Sequence, residues 1–201
     1  MNLTKKQISI LIGTVLGDGY LQKTGLKNAR LRLEHGNAQK DYVVWKGKCF
    51  PKLFLGKPTY LERIHPQTKK TYSYWRWQSN SSPELGKWQK IFYQNGKKII
   101  PKNLSDLLKE PLALAVWYMD DGYYSEVQRH SFLYLGKVMK EEAEISQKTI
   151  YKNFAVNGKV YDKKQKGYAI FFSVSETKKL HKIVKNYMLL PLFNYKISLT
   201  P

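Results

Sequence analysis

The stretch Pro111–Tyr124 reads PLALAVWYMDDGYY, an apolar run that ends abruptly at Asp120-Asp121-Gly122. A second stretch of the same design, Leu11–Tyr20, reads LIGTVLGDGY and ends at Gly17-Asp18-Gly19. Because each run is apolar on every face and Asp-Gly stops a helix, both predict buried helices that end at their aspartates. Two copies of such a pattern indicate an internal duplication.

The segments around the two apolar helices also repeat. Each helix is followed by two strands, a helix, two more strands and a final helix, so each half has the order αββαββα. The halves end alike, with Lys98-Ile99 in one and Lys196-Ile197 in the other. We therefore predict an α+β protein with pseudo-symmetric halves at residues 1–101 and 111–201, joined by a linker at 102–110.

Alternating patterns locate the strands and their faces. The motif ARLRLEH predicts a strand with Leu31 and Leu33 on its buried face. The motif YSYWRWQS predicts another, in which Trp75 and Trp77 are buried. The longest predicted strands lie at 29–35, 71–78, 155–162 and 168–174.

The net charge of +20 decides the class of partner. Self-repulsion of this size usually accompanies binding to a polyanion. An acidic membrane is the competing partner, but no segment approaches the roughly 18 uninterrupted apolar residues of a membrane span. The N-terminal apolar run also lacks the small-residue cleavage site of a signal peptide. We therefore expect an intracellular protein that binds nucleic acid and no membrane.

Several classes of chemistry are excluded by residue usage. The single cysteine, Cys49, cannot form an internal disulfide and is expected to be a buried thiol. The four histidines are scattered without the spacing of a zinc site. Neither a nucleophile triad nor a glycine-rich phosphate loop is present.

The aspartates that end the two apolar helices are the candidate catalytic residues. Helices related by a duplication would pack across a pseudo-twofold axis and bring Asp18 and Asp121 side by side. Their mutual repulsion, added to the negative potential of the helix ends, requires bound cations. Hard oxygen ligands select Mg²⁺ or Mn²⁺, and divalent metals between two carboxylates are suited to phosphodiester hydrolysis.

Three further positions are candidates around these acids. Lys98 and Lys196 could stabilise charge on a phosphate or polarise a water, although a lone lysine is usually a surface charge. Asp120 is a second acid beside Asp121, and its partner position in the first half is Gly17. Asp120 and Gly17 are either minor metal or solvent ligands, or have no role.

The outward faces and turns of the strands carry the candidate DNA contacts. A two-stranded ribbon fits the major groove, where arginine and glutamine read base edges, while lysines in turns reach phosphates. The same alternation is equally typical of a solvated sheet face. The candidates on strand faces are Arg30, Arg32, Tyr72, Tyr74, Arg76, Gln78, Lys159, Tyr161 and Lys163. The candidates in turns are Lys69, Lys70, Lys163, Lys164 and Lys166.

The two apolar motifs resemble the nine-residue motif of the LAGLIDADG homing endonucleases. Leu11–Gly19 aligns with one copy and Leu114–Gly122 with the other, and the segment KKIIP at Lys97–Pro101 precedes the second. The similarity covers nearly the whole chain and is greatest to single-chain, intron-encoded members. Val116 departs from the pattern, since the motif has a small residue there.

This resemblance implies a monomer in which each half is a saddle-shaped antiparallel sheet covered by helices, the halves being joined through the motif helices. It implies a site-specific endonuclease that reads a long target in the major groove and leaves 3′ overhangs. By position, Asp18 and Asp121 match the metal-binding acids of the family, and Lys98 and Lys196 match its active-site lysines. Mg²⁺ would be the cofactor, with Mn²⁺ as a substitute. The protein would act in a mitochondrion, a chloroplast, or a bacterial or archaeal cytoplasm.

Two other functions are compatible with the same resemblance. One is an RNA maturase that assists splicing of its host intron, with intron RNA as the partner. The other is a catalytically silent DNA-binding regulator, which would bind in a salt-sensitive manner without cutting. The intact acids in both motifs favour the nuclease, because neither alternative needs them.

Overall fold

A computed structural model of the chain describes residues 2–188 and 191–198. The chain divides into two compact units. The first consists of residues up to Gln7 together with Asp18–Ile91, and the second of Ile8–Gly17 together with the residues from Phe92 onward. The apolar part of the first motif helix therefore belongs to the unit built from the C-terminal half.

The N-terminal half has the predicted order of elements. They are α1 (Lys5–Leu16), β1 (Tyr20–Lys23), β2 (Ala29–Gly36), α2 (Lys40–Lys48), β3 (Thr59–Ile64), β4 (Thr71–Gln78) and α3 (Pro83–Phe92). The strands form one antiparallel sheet in the order β1-β2-β4-β3. Leu31 and Leu33 on its inner face are fully buried, and Gly47 of α2 lies against the ring of Trp77. Trp75 is only half-buried and donates to Asn37 Oδ1.

The C-terminal half repeats this topology. A short hairpin, β5 (Tyr93–Gln94) and β6 (Lys97–Lys98), and α4 (Leu104–Leu107) lead into it. Its further elements are α5 (Pro111–Asp121), β7 (Gly122–Ser125), β8 (His130–Gly136), α6 (Lys140–Phe154), β9 (Lys159–Asp162), β10 (Tyr168–Phe172) and α7 (Val174–Val184). The strand order β7-β8-β10-β9 is equivalent to that of the first sheet, so the α+β class and the duplicated αββαββα order are confirmed.

Glycines bring α1 close to α5 within the second unit. A β-carbon on Gly13 would collide with the carbonyl oxygen of Ala113 and would lie 2.7 Å from Cβ of Val116. A β-carbon on Gly17 would lie 2.5 Å from Oδ2 of Asp120. Both glycines therefore allow the backbones of the two helices to approach closely. Gly13 also supplies the space that the larger side chain of Val116 requires, and Val116 is fully buried.

Two strand boundaries differ from the sequence expectation. β9 begins at Lys159 rather than 155, because Ala155 ends α6 in the left-handed conformation with φ 54°. β10 ends at Phe172, because Ser173 is the N-cap of α7 and accepts from the backbone N–H of Glu176. No helix in the described ranges combines the length and apolar character needed to cross a bilayer.

Candidate active site and nucleic-acid interface

A lysine caps the C-terminal end of each motif helix. Lys98 Nζ, carried by β6, donates to the carbonyl oxygens of Val15 at 3.0 Å and Gly17 at 2.5 Å. Lys196 Nζ, carried by the 3₁₀ turn Pro191–Lys196, donates to two carbonyl oxygens at the end of α5, at 2.6 and 2.8 Å. Each ammonium group therefore sits at the negative end of a helix dipole, where a cation is stabilising.

The acids of the second motif lie at the same helix end. Asp121 is the last residue of α5, and Asp120 lies against Gly17. Both aspartates are partly exposed, and the backbone carbonyl of Asp120 accepts from Lys196. The structure therefore brings Gly17, Asp120 and both lysines to the ends of α1 and α5 within one unit.

The first-motif acid, Asp18, belongs to the other compact unit. Its side chain is 48% exposed, and its Oδ2 lies 3.5 Å from Nδ1 of His35. The acids of both motifs offer carboxylate oxygens that water can reach. Carboxylate oxygens are the ligand type that Mg²⁺ and Mn²⁺ prefer, and both ions retain bound waters.

A buried polar network holds the segment that carries Lys196. The Tyr118 hydroxyl donates to the Lys196 carbonyl at 2.8 Å and lies 3.1 Å from Ser131 Oγ and 3.2 Å from His181 Nε2. The N–H of Ser198 donates to His181 Nδ1 at 3.0 Å. Burial raises the pKa of Tyr118 well above its usual value and lowers the pKa of His181 to about 4. His181 is therefore neutral at pH 7, with its proton on Nε2.

The outer face of the first sheet is rich in arginine and tyrosine, as the alternation predicted. Register places Arg32 beside Gln78 and beside Tyr20, and the guanidinium of Arg32 lies 4.9 Å from the centre of the Tyr20 ring. Arg30 donates from Nε to Gln22 Oε1 at 2.9 Å. Tyr72 and Tyr74 lie on the same face along β4. These residues therefore share the outer face of the first sheet.

An acid lies in the middle of this face. Glu34 accepts two hydrogen bonds from Arg63, at 2.7 and 2.9 Å, and one from Arg76 Nε at 2.6 Å. Burial alone would raise the pKa of Glu34, but hydrogen bonds from Arg63 and Arg76 hold that pKa below its usual range. Arg76, a predicted DNA contact, is thus engaged by a carboxylate.

The outer face of the second sheet is aromatic rather than basic. Phe132 and Phe171 pair directly across β8 and β10, and their ring centres lie 5.2 Å apart. Tyr161 packs against both rings. Lys163 Nζ lies 4.2 Å from the centre of the Phe132 ring, so this predicted contact covers an aromatic cluster. In β10, whose sequence YAIFF is apolar on both faces, Phe171 faces outward and Ile170 inward.

The remaining predicted contacts lie in exposed positions. Lys69 and Lys164 occupy turns with positive φ, at 54° and 57°. The exposed members of the predicted set are Lys69, Lys70, Tyr72, Lys159, Tyr161, Lys164 and Lys166.

Sequence reasoning missed several polar residues of this region. His35 continues the inward series of Leu31 and Leu33 on β2, and that position was the available signal. Arg63 could have been found as the arginine of the strand TYLERI, which forms β3. Tyr118 and His181 gave no signal, because a tyrosine within an apolar run and an isolated histidine are both common in cores.

The chain is similar to DNA endonucleases in sequence and in structure. Residues 8–180 match the sequence model of the LAGLIDADG DNA endonuclease family. A probable intron-encoded endonuclease 1 from Wickerhamomyces canadensis is 28% identical over 200 residues, covering 97% of this chain and 85% of the relative. The solved structure of the homing endonuclease I-WcaI bound to its DNA recognition sequence has a TM-score of 0.90 and 27% identity, covering 98% of this chain and 88% of that one.

Other relatives match only in part. Cytochrome b mRNA maturase bI2 of Debaryomyces hansenii is 29% identical over 126 residues, which is 60% of this chain and 47% of the maturase. The chain spans 27% of the length of the RecA protein of Mycolicibacterium flavescens, with 31% identity over 126 residues.

Proposed function

Since the chain belongs to the LAGLIDADG DNA endonuclease family, we propose that it is a homing endonuclease that cuts both strands of duplex DNA at one long, specific site. The observation that carries this proposal is the pair of motif helices. Each ends at an Asp-Gly, and each has its last carbonyl oxygens neutralised by a lysine. The similarity to I-WcaI, which was solved with its DNA recognition sequence, supports duplex DNA as the substrate.

The proposed catalytic residues are Asp18 and Asp121. Their carboxylates would hold Mg²⁺, or Mn²⁺ as a substitute, with Asp120 and the carbonyl of Gly17 as minor ligands. When bound, the metal would supply a Lewis acid for the phosphate oxygens and a water of lowered pKa. Lys98 and Lys196 would add positive charge at the same helix ends, where negative charge develops on the phosphate.

The proposed DNA-binding surface is the outer face of the two sheets with their basic turns. Arg30, Arg32 and Gln78 are the side chains best suited to base edges in the major groove. The turn lysines would contact phosphates and fix the register of the protein on the duplex. A monomer with two unlike sheet faces would read an asymmetric site. Such a protein would act wherever its target DNA lies, in an organelle or a prokaryotic cytoplasm.

The test is the substitution Asp121→Asn. It keeps the size of the side chain but removes the anionic ligand, so cleavage should fall by at least about 100-fold, since a Lewis acid contributes several kcal/mol. Affinity for the same DNA in Ca²⁺ should change by less than about threefold, because base and phosphate contacts are made elsewhere. Target DNA is first obtained by cutting a randomised library with the purified protein and sequencing the ends.

The matched control is Asp41→Asn, an exposed aspartate in the first turn of α2. It should cleave at the wild-type rate. Loss of folding and binding together in Asp121→Asn would contradict the metal-ligand role. Cleavage by Asp121→Asn at the wild-type rate would contradict it equally.

A second candidate function is RNA maturation, favoured by the partial similarity to a cytochrome b mRNA maturase. It predicts tight, specific binding to a structured intron RNA and no nicking of any DNA in Mg²⁺. A protein that binds duplex DNA but cuts with no metal would instead be a silent regulator.

A further inference from the structure

A buried histidine connects the first-motif acid to a buried lysine. The side chain of His35 is 3% exposed, and its Nδ1 lies 3.5 Å from Oδ2 of Asp18. Its Nε2 lies 3.4 Å from Nζ of Lys46, which comes from α2 and is fully buried. Nζ of Lys46 also lies 4.2 Å from the centre of the Tyr42 ring. Asp18, His35 and Lys46 thus form a line from a solvent-accessible carboxylate into the core of the first unit.

The chemistry of the three groups gives this line a direction. An ammonium group has only donors, so His35 Nε2 must accept from Lys46. A neutral imidazole that accepts at Nε2 carries its proton on Nδ1, which is the atom facing Asp18. The carboxylate can only accept, so every pair in the line is a donor facing an acceptor. Lys46 therefore fixes the tautomer of His35, and His35 fixes the orientation of the Asp18 carboxylate.

The second half has different residues at the positions equivalent to His35 and Lys46. Strand pairing shows which residues of the two halves are equivalent. Tyr20 pairs with Arg32 on β2, and Tyr123, the equivalent of Tyr20, pairs with Phe132 on β8, so Arg32 and Phe132 are equivalent. The same spacing places Leu135 where the first half has His35, and Ser146 where it has Lys46. Ser146 is buried, and its hydroxyl donates to the Glu142 carbonyl of its own helix. The positions equivalent to His35 and Lys46 therefore carry neither an imidazole nor an ammonium group.

We infer that His35 and Lys46 are positioning residues for Asp18, and that they make the two proposed catalytic acids unequal. The inference rests on the proposed endonuclease function for its kinetic consequence, but the tautomer of His35 does not depend on that function. Second-layer partners of this kind typically change metal affinity or activity by about 10–100-fold. Because Leu135 and Ser146 occupy the equivalent positions of the second half, the loss of the line should slow cleavage of one DNA strand more than the other.

The first test is the ¹⁵N NMR spectrum of the imidazole rings in the metal-free protein. His35 should show the Nδ1–H tautomer, whereas His181, which accepts at Nδ1, should show the Nε2–H tautomer and serves as an internal reference. The substitution Lys46→Met keeps the apolar stem and removes the donor, so His35 should lose its preference for Nδ1–H. Nε2–H at His35 in the wild type, or an unchanged tautomer in Lys46→Met, would overturn the inference.

The second test measures the cleavage rates of the two strands separately, with differently labelled ends. His35→Leu, which installs the residue of the second half, should change the ratio of the two rates by about tenfold or more and cause nicked DNA to accumulate. His35→Gln, whose amide both donates and accepts, should restore most of the wild-type ratio. A variant that was merely misfolded would slow both strands equally and leave the ratio unchanged.

The matched control is Ser146→Ala, at the position equivalent to Lys46, which should leave the ratio of strand rates unchanged. If His35→Leu cut both strands in the wild-type ratio, the positioning role would be refuted although the endonuclease function would stand. If the wild type cut no DNA, the proposed function would fail, and the NMR experiment would still decide whether Lys46 sets the tautomer.

Discussion

His181 is the residue whose protonation most clearly limits the stability of the molecule. The residue is 5% exposed, both ring nitrogens lie within hydrogen-bond distance of a partner, and burial lowers the pKa of His181 from 6.5 to about 4. Between these values an unfolded chain takes up a proton that the folded protein does not. Stability is therefore fully present above pH 6.5 and falls as the pH decreases through this window.

We expect the free energy of unfolding to decrease by up to about 1.4 kcal/mol per pH unit between pH 6.5 and 4 from this group alone. Chemical denaturation at a series of pH values measures the slope. His181→Gln removes the titrating group and should flatten the curve in this window. An equal slope in the variant would mean that other groups cause the acid sensitivity.

The sequence alone identified the candidate acids and lysines of the site, but it did not identify His35 and Lys46, which lie in line with Asp18. Asp18 and Asp121 follow duplicated apolar runs, and Lys98 and Lys196 follow duplicated ends, so repetition marked all four. His35 has no repeated partner, and no spacing rule links it to Lys46 on another element. A contact that is made in only one half cannot be found by comparing the sequences of the two halves.

The close approach of α1 to α5 depends on the absence of a β-carbon at Gly13. Gly13→Ala should destabilise the protein by about 1–3 kcal/mol, the usual cost of overpacking, because the added carbon collides with a backbone carbonyl that has little freedom to move. At an ordinary helix position, replacing glycine by alanine would instead raise the free energy of unfolding by up to about 1 kcal/mol. Thermal unfolding measures the difference.

Gly36→Ala is the control, because a β-carbon there meets nothing within 4 Å. Its stability should stay within about 0.5 kcal/mol of the wild type. A stable Gly13→Ala protein would show that the two helices can separate without cost.

Glu34 divides the basic face of the first sheet. Glu34→Gln should release Arg63 and Arg76 for phosphate or base contacts and remove a negative charge from the surface. We expect binding to duplex DNA to tighten several-fold, by about 1 kcal/mol, as one charge at close range contributes near a surface. Titration by fluorescence anisotropy at low salt measures the change.

The comparison variant is Glu84→Gln, which removes an acid that pairs with Lys87 on α3. It changes net charge by the same amount, so equal tightening in both variants would mean that overall charge, not the position of Glu34, controls binding.

Strand faces were predicted well where polar and apolar residues alternate strictly, as in β2. They were ambiguous where both faces are apolar, as in the YAIFF segment of β10. There the outward position of Phe171 is decided by its neighbours Phe132 and Tyr161, which come from other strands. The start of β9 was also missed, because the left-handed Ala155 occupies a conformation normally left to glycine.

For the whole molecule, the charge of +20 predicts a steep salt dependence of DNA binding. If about 6–10 phosphates are neutralised, affinity for duplex DNA should fall by about 10³–10⁵-fold between roughly 50 and 200 mM salt. Replacing Lys69 or Lys164 by glutamine should lower the slope of the logarithmic plot by about one unit for each lysine. Binding that did not change with salt would exclude phosphate contacts as the main source of affinity.

The membership of Ile8–Gly17 in the second unit has a consequence for biosynthesis. These residues leave the ribosome early. The Lys98 hairpin and α5, which pack on them, are made roughly 80 and 100 residues later, and contacts so distant in sequence form slowly. During this interval the fully buried Ile10, Leu11 and Val15 have no partner to cover them. The nascent chain is therefore open to aggregation until its second half is complete, and it depends on chaperones or fast elongation more than a chain of two independent halves would.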